Sequence, residues 1–209
     1  MTTVKNLNYF KEYQTWKNTK KITTCFIFVL GLIAQNAIAD TTELVSQDGS
    51  GNEGNDTSYA NSVSADGRYV AINSYATDLL GAGVDTNAKA DIFVYDREND
   101  TIERVSEKSD GTESDGASRY PQISQNGRYA VFESDASNLV ASDTNSLTDI
   151  FAHDLENSTT VRVSVKSDQS NISYDGQYVV FSSGASNLVS GDSNGKFDGF
   201  IRDRGTPTF

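Results

Sequence analysis

Three short acidic loops of one pattern are the residues in this sequence best suited to chemistry. They read Asp85-Thr86-Asn87-Ala88-Lys89-Ala90-Asp91, Asp143-Thr144-Asn145-Ser146-Leu147-Thr148-Asp149 and Asp192-Ser193-Asn194-Gly195-Lys196-Phe197-Asp198, each Asp-x-Asn-x-x-x-Asp. Side-chain oxygens at positions one, three and seven of a tight loop can surround a hard cation such as Ca²⁺. Position five supplies an oxygen in fuller calcium loops, but here it is Lys89, Leu147 and Lys196, and no bidentate Glu follows at EF-hand spacing. A lysine beside the loop opposes a cation. The middle set, Asp143, Asn145 and Asp149, therefore leads as candidate ligands. Asp85, Asn87 and Asp91, and Asp192, Asn194 and Asp198, rank behind it. The competing reading gives the same Asp and Asn residues a local task, making turns and capping the entry to a strand.

Other reactive groups are few. His153 is the single histidine and has no second histidine to share a metal or a proton with, so it reads as a strand residue at a variable position. Neither a Gly-x-Ser-x-Gly elbow nor room for an attached hydrolase domain is present. Ser64 to Gly67 has a superficial likeness to the Asp-box of sialidases but lacks its closing aromatic pattern. Acidic pairs are plentiful, and none is singled out as a glycosidase dyad.

The elements that must position these loops come from an internal repeat. Arg68 to Ser74 (RYVAINS) recurs as Arg128 to Ser134 (RYAVFES) and as Gln177 to Ser183 (QYVVFSS). Each copy follows a turn pair, Asp66-Gly67, Asn126-Gly127 or Asp175-Gly176, which supplies the positive φ that a two-residue hairpin requires. A short strand precedes each turn: Ser58 to Ser64, Ser118 to Ser124, and a stunted Ser170 to Ser173. A third element runs Asp91 to Asp96, Asp149 to Asp154 and Asp198 to Asp203. A fourth runs Thr101 to Ser106, Thr160 to Ser164 and, near the start, Thr42 to Ser46. Phe93, Phe151 and Phe200, with Tyr69, Tyr129 and Tyr178, hold fixed repeat positions, as core residues do. Four antiparallel strands per repeat, stacked on copies of themselves, describe blades of a β-propeller. Pro121 cannot donate to a ladder and belongs on an edge strand.

The phrases YPQISQNGRYAVFES and DIFAHD…RVS resemble the TolB-type, WD-like β-propeller repeat of bacterial envelope and secreted proteins. The resemblance covers nearly all of residues 42 to 204 and implies the propeller alone, since the separate α/β domain of TolB has no room here. One fold hosts many activities, so it implies no particular one. The expected architecture is all-β, a partial propeller of three four-stranded blades over about 58–106, 118–164 and 170–203 plus 42–46. The third blade is expected to be shortened, because Gly67 and Gly127 stand 60 residues apart and Gly127 and Gly176 only 49. The stretch lost corresponds to Gly111 through about Tyr120, including part of the inner strand. The strand Thr42 to Ser46 is expected to complete the last blade.

Propellers close with about four to eight blades, so three leave faces and edges open to association. Two chains could pair into a six-bladed ring, a larger unknown protein partner could hold an open arc, or the chain could be a truncated, degenerate paralogue.

Ahead of the repeats, Lys20-Lys21, the apolar run Ile22 to Ala34 and the small-x-small Ala37-Ile38-Ala39 read as a secretory signal peptide over residues 1–39, cleaved after Ala39. The run is too short for a comfortable membrane span. Cleavage removes the only Cys (Cys25), Trp (Trp16) and Met (Met1), so the remainder, 40–209, has no disulfide or thiolate chemistry. Five of the 17 basic residues and one of the 29 acids lie before residue 40, leaving a formal charge of −16 beyond it. Such a surface repels phosphate backbones, which argues against nucleic acid. The expectation is a periplasmic or extracellular binding or scaffold module without catalysis or a transmembrane domain. A calcium-stabilised propeller is the alternative, and a glycosidase or lyase stands behind it.

Overall fold

Strands dominate because the repeat is rich in β-branched and aromatic residues separated by turn formers. The computed structural model describes residues 41–141 and 143–205. The predicted signal segment lies outside them. Among the described residues no helix is long and apolar enough to cross a membrane.

Among the described residues, eleven strands form three antiparallel sheets. The first blade holds β1 (Ser58–Val63), β2 (Tyr69–Ser74), β3 (Asp91–Asp96) and β4 (Thr101–Arg104) in sequential order. The second holds β5 (Ser118–Ile123), β6 (Tyr129–Ser134), β7 (Asp149–Asp154) and β8 (Thr159–Ser164), again in order. The third holds β9 (Ser167–Ile172), β10 (Tyr178–Ser183) and β11 (Asp198–Asp203). This is the expected partial all-β propeller. Strands β6 and β7 are buried at every residue, as strands covered on both faces must be. Pro121 lies on edge strand β5, at the bulge between Arg119 and Gln122.

Three details differ from the sequence expectation. The turn pairs do not make two-residue hairpins. Gly67 N–H donates to Ser64 C=O (2.9 Å) and Asp66 takes Arg68 N–H on its carboxylate. Within each turn pair only the glycine has positive φ (+75° at Gly67, +77° at Gly127 and Gly176). The side chain at the Asp or Asn position does the closing work, so a longer loop is favoured. Second, β9 is not stunted: its six residues keep register, Ser167 opposite Ser183 as Ser118 is opposite Ser134. Nine of the eleven residues are lost from the connector instead. Residues 107–117 separate Ser106 from Ser118, whereas only Val165 and Lys166 separate Ser164 from Ser167. Third, residues 42–46 do not pair with β11. They form no strand and lie beside the first blade, with Glu43 ion-paired to Arg97 and Gln47 donating to the Tyr95 hydroxyl.

Two of the three core clusters are contacts between blades, and the third, Val70, Ile72, Phe93 and Tyr95 with Val45 and Ile102, lies within the first blade and the segment beside it. Ala71, Ile92, Val94 and Val105 of the first meet Ile123, Ala130, Phe132 and Phe151 of the second. Val131, Ile150, Ala152 and Val163 of the second meet Ile172, Val179 and Phe181 of the third. Each fully buried aliphatic or aromatic side chain there is worth about 1.5–3 kcal/mol.

Candidate functional site

The three acidic loops share one backbone. Position four takes positive φ in each: Ala88 (+52°), Ser146 (+55°) and Gly195 (+64°). That conformation lets the Asn fold back. Its Oδ1 accepts the backbone N–H two residues on, at Lys89 (2.5 Å), Leu147 (2.8 Å) and Lys196 (2.7 Å). Its Nδ2 donates to the closing Asp91, Asp149 or Asp198 at 3.0 Å. Asn87, Asn145 and Asn194 therefore lock their loops, the task the turn-making reading assigned to them.

The aspartates differ between blades. In the second, Arg162 of β8 reaches Asp143 (3.0 Å) and Asp149 (3.1 Å) through one Nη1. Asp149 also takes the Lys166 N–H at 2.8 Å. Both carboxylates are buried and both have a counter-charge. In the third, Asp192 and Asp198 are half-buried and Asn194 and Lys196 exposed.

In the first blade a third carboxylate arrives that the sequence reading missed. Glu113, on the connector from β4 to β5, joins Asp85 and Asp91, and carboxylate oxygens of the three lie within 4.8 Å of one another. Asp91 is held by Ser106 Oγ (2.5 Å), Ser114 Oγ (3.1 Å) and Asn87. Glu113 accepts from Thr86 Oγ1 (2.5 Å) and from Arg104 Nη1 (2.6 Å). Asp85 is 8% exposed, and neither of its carboxylate oxygens has a hydrogen-bond partner among the described residues. Burial, reinforced by Asp91 and Glu113, pushes its carboxyl up to about 6. Burial likewise raises Asp91. Burial would raise Glu113 too, but hydrogen bonds from Thr86 and the charge of Arg104 leave it lowered. Lys89, the objection to this loop, is exposed to solvent.

The missed residues had a sequence signal. Arg104 and Arg162 open identical Arg-Val-Ser triplets. Glu113 stands 60 residues after Glu53, the spacing of Gly67 and Gly127, and bridges Gln47–Glu53 and Glu107–Glu113 confirm the match.

His153 is 3% exposed, with its Nδ1 2.9 Å from Thr160 Oγ1. Since that hydroxyl donates to Glu107 C=O (2.5 Å), the imidazole donates to it. Burial holds the histidine down at about 4.

A second recurrent feature joins neighbouring blades. The Tyr69 ring covers Gly127, where a Cβ would come 2.4 Å from Cδ2, and the Tyr129 ring covers Gly176, where it would come 2.0 Å away. Arg204 closes the second seat, 4.5 Å over Tyr129 and donating to Gly176 C=O at 2.8 Å. At the two ends the halves stand apart. Tyr178 is 40% exposed, with Val180 (46%) and Ile201 (67%) beside it, where Tyr129, Val131 and Ala152 are buried. Gly67 has no ring above it among the described residues, while Arg97 donates to its C=O at 2.6 Å as Arg204 does to Gly176. Val63 is 54% exposed where its counterparts Ile123 and Ile172 are buried.

No family model and no curated protein matches this sequence. Among solved structures it is similar to a TolB-type protein of Agrobacterium tumefaciens, at 17% identity and TM-score 0.45 over 71% of this chain and 46% of that one. It is similar to TolB of Acinetobacter baumannii at 20% identity and TM-score 0.44, over 73% of this chain and 31% of that one. The propeller domain of the Trilobed protease of Pyrococcus furiosus follows at 13% and 0.42, over 61% and 34%. The chain spans less than half the length of each. The likeness is one of fold, and the three sheets carry the propeller assignment by themselves.

Proposed function

We propose that this protein is a non-enzymatic binding and scaffold module, exported from the cytoplasm, that completes its propeller with a second copy of itself. The tyrosine–glycine seat carries the reading. It is filled between blades one and two and between two and three, and its two unmatched halves are Tyr178 at one end and Gly67 with Arg97 at the other. A second copy brings Tyr178 onto Gly67 under Arg97, and Val180 and Ile201 onto the strip that includes Val63. The contact is head-to-tail and is used twice. It closes because two sets of three blades make six, within the range at which propellers close. Residues 42–46 then lie where the fourth strand of the partner's third blade belongs, beside its β11.

Static light scattering of the purified protein tests this. The expected mass is twice that of the chain, falling to one chain in Ile201→Asp and in Tyr178→Ser, both at exposed positions whose loss leaves the fold intact. A folded wild-type monomer at tens of micromolar, on the order of ordinary protein–protein affinities, overturns it. The Lys20-Lys21 flank, apolar run and Ala37-Ile38-Ala39 support export. Mass spectrometry of the exported protein should find Asp40 as its first residue.

A further inference from the structure

The geometry points to a hard divalent-cation site of the Ca²⁺ class, held by Asp85, Asp91 and Glu113 where the first blade meets the connector to the second. It is independent of self-association, because all three residues belong to one chain.

Two observations carry it. Oxygens of three carboxylates converge within 4.8 Å. Ca²⁺ takes its ligands at 2.3–2.6 Å, so oxygens on opposite sides of one ion stand up to about 5 Å apart, and this cluster fits around one ion. Second, Asp85 is nine-tenths buried in that cluster, and among the described residues neither of its oxygens is paired. A buried carboxylate without donors is costly, and two more acids beside it add repulsion. Folding does not ordinarily leave such a group unanswered when a hydroxyl or an amide could have been placed there. Ser106, Ser114 and Asn87 are spent on Asp91, and Thr86 and Arg104 on Glu113. These donors fix two carboxylates and leave Asp85 facing its neighbours.

The charge count agrees. Three acids face one arginine, and Arg104 Nη1 is committed to Glu113 at 2.6 Å. The excess negative charge calls for a cation with oxygen preference, and the absence of His and Cys from the set disfavours softer metals. Asp85 and Asp91 come from the acidic loop, and Glu113 supplies the acid that the loop itself lacks. Carboxylates binding through one or both oxygens, with waters, complete the six to eight ligands of Ca²⁺.

Calcium titrated into chelator-treated full-length protein, read by calorimetry and thermal melting, tests the assignment. One ion should bind per chain. At a hundredfold excess over Kd, Tm should rise by about 5–10 °C for a chain of this size. Asp85→Asn is isosteric and relieves the orphaned charge, so it should fold and lose the response. Glu113→Gln should lose it too, while Asp143→Asn in the second blade should keep it. The assignment is overturned by a flat Tm up to about 10 mM Ca²⁺, tenfold above the weakest extracellular modules. An undiminished response in Asp85→Asn, or a response abolished by Asp143→Asn, overturns it equally.

Discussion

In the second blade Arg162 reaches between Asp143 and Asp149, at 3.0 and 3.1 Å. In the first, the matching Arg104 turns to Glu113 and leaves Asp85 without a donor. The loops have the same spacing, the same Asn lock and the same left-handed fourth residue, so the loop does not decide the outcome. The connector does. Residues 107–117 bring Glu113 over the first loop and draw the arginine away. In the second blade the connector shrinks to Val165 and Lys166, no acid arrives, and the arginine stays between the two aspartates. One blade thus sets its fixed cation between the two loop aspartates, and the other spends its arginine on Glu113 and leaves Asp85 without a direct counter-charge.

Removing that fixed cation should be the most damaging change. Arg162→Ala strands two buried carboxylates, and breaking a buried pair from one side costs about 3–5 kcal/mol. About 3 kcal/mol is expected, since Arg162 is itself 26% exposed. Urea melts measure it. Added Ca²⁺ should restore part of the loss by making the second blade resemble the first. A cost under about 1 kcal/mol, in the range of surface pairs, would remove the distinction between the blades.

The blades also differ at the third-strand position held by Tyr95 and His153. Tyr95 takes a hydrogen bond from Gln47 and gives one to Asp100. His153 is enclosed and held at about 4, below its ordinary 6.5. A histidine depressed on folding takes up its proton first in the unfolded chain. The folded state therefore loses ground as pH falls from about 6.5 toward 4, and none above that window. The loss is about 2 kcal/mol between pH 7 and 5. Asp85, raised by its burial, acts in the opposite sense as pH rises through about 6. The clean measurement is therefore the difference between wild type and His153→Tyr, which should widen toward acid pH in favour of the variant. A constant difference would mean that the imidazole charges without penalty.

The repeat, its eleven observed strands and their order were legible in the sequence because each is a local matter of turn residues, apolar runs and period, whereas residues 42–46 form no strand. The aspartates of the acidic loops were legible for the same reason. Glu113 and the two arginines were not read, because they reach their partners across a strand or a connector, and motif spacing describes only one loop at a time. The same limit explains the inner strand of the third blade. Counting residues between glycines shows that 11 are gone, but pairing of Ser167 with Ser183 places nine of them in the connector. Lys89 counts against its loop in the sequence, but a lysine in a loop can point outward, and only its exposure separates an opposing charge from a solvated one.

The smallest effect is the most telling, because its sign should differ between the blades. Asp85→Asn and Asp143→Asn make the same chemical change at the same loop position. In metal-free protein Asp143→Asn weakens one hydrogen bond to Arg162, which stays paired to Asp149, and should cost about 1 kcal/mol. Asp85→Asn removes a charge that has no donor and two acidic neighbours, and should stabilise by about 1 kcal/mol. Paired urea melts in chelator read both, and the double variant should be additive because the two loops share no partner. Equal costs at both positions would mean that Asp85 has a counter-charge after all, and the contrast set by the connector would then be one of geometry without energetic consequence.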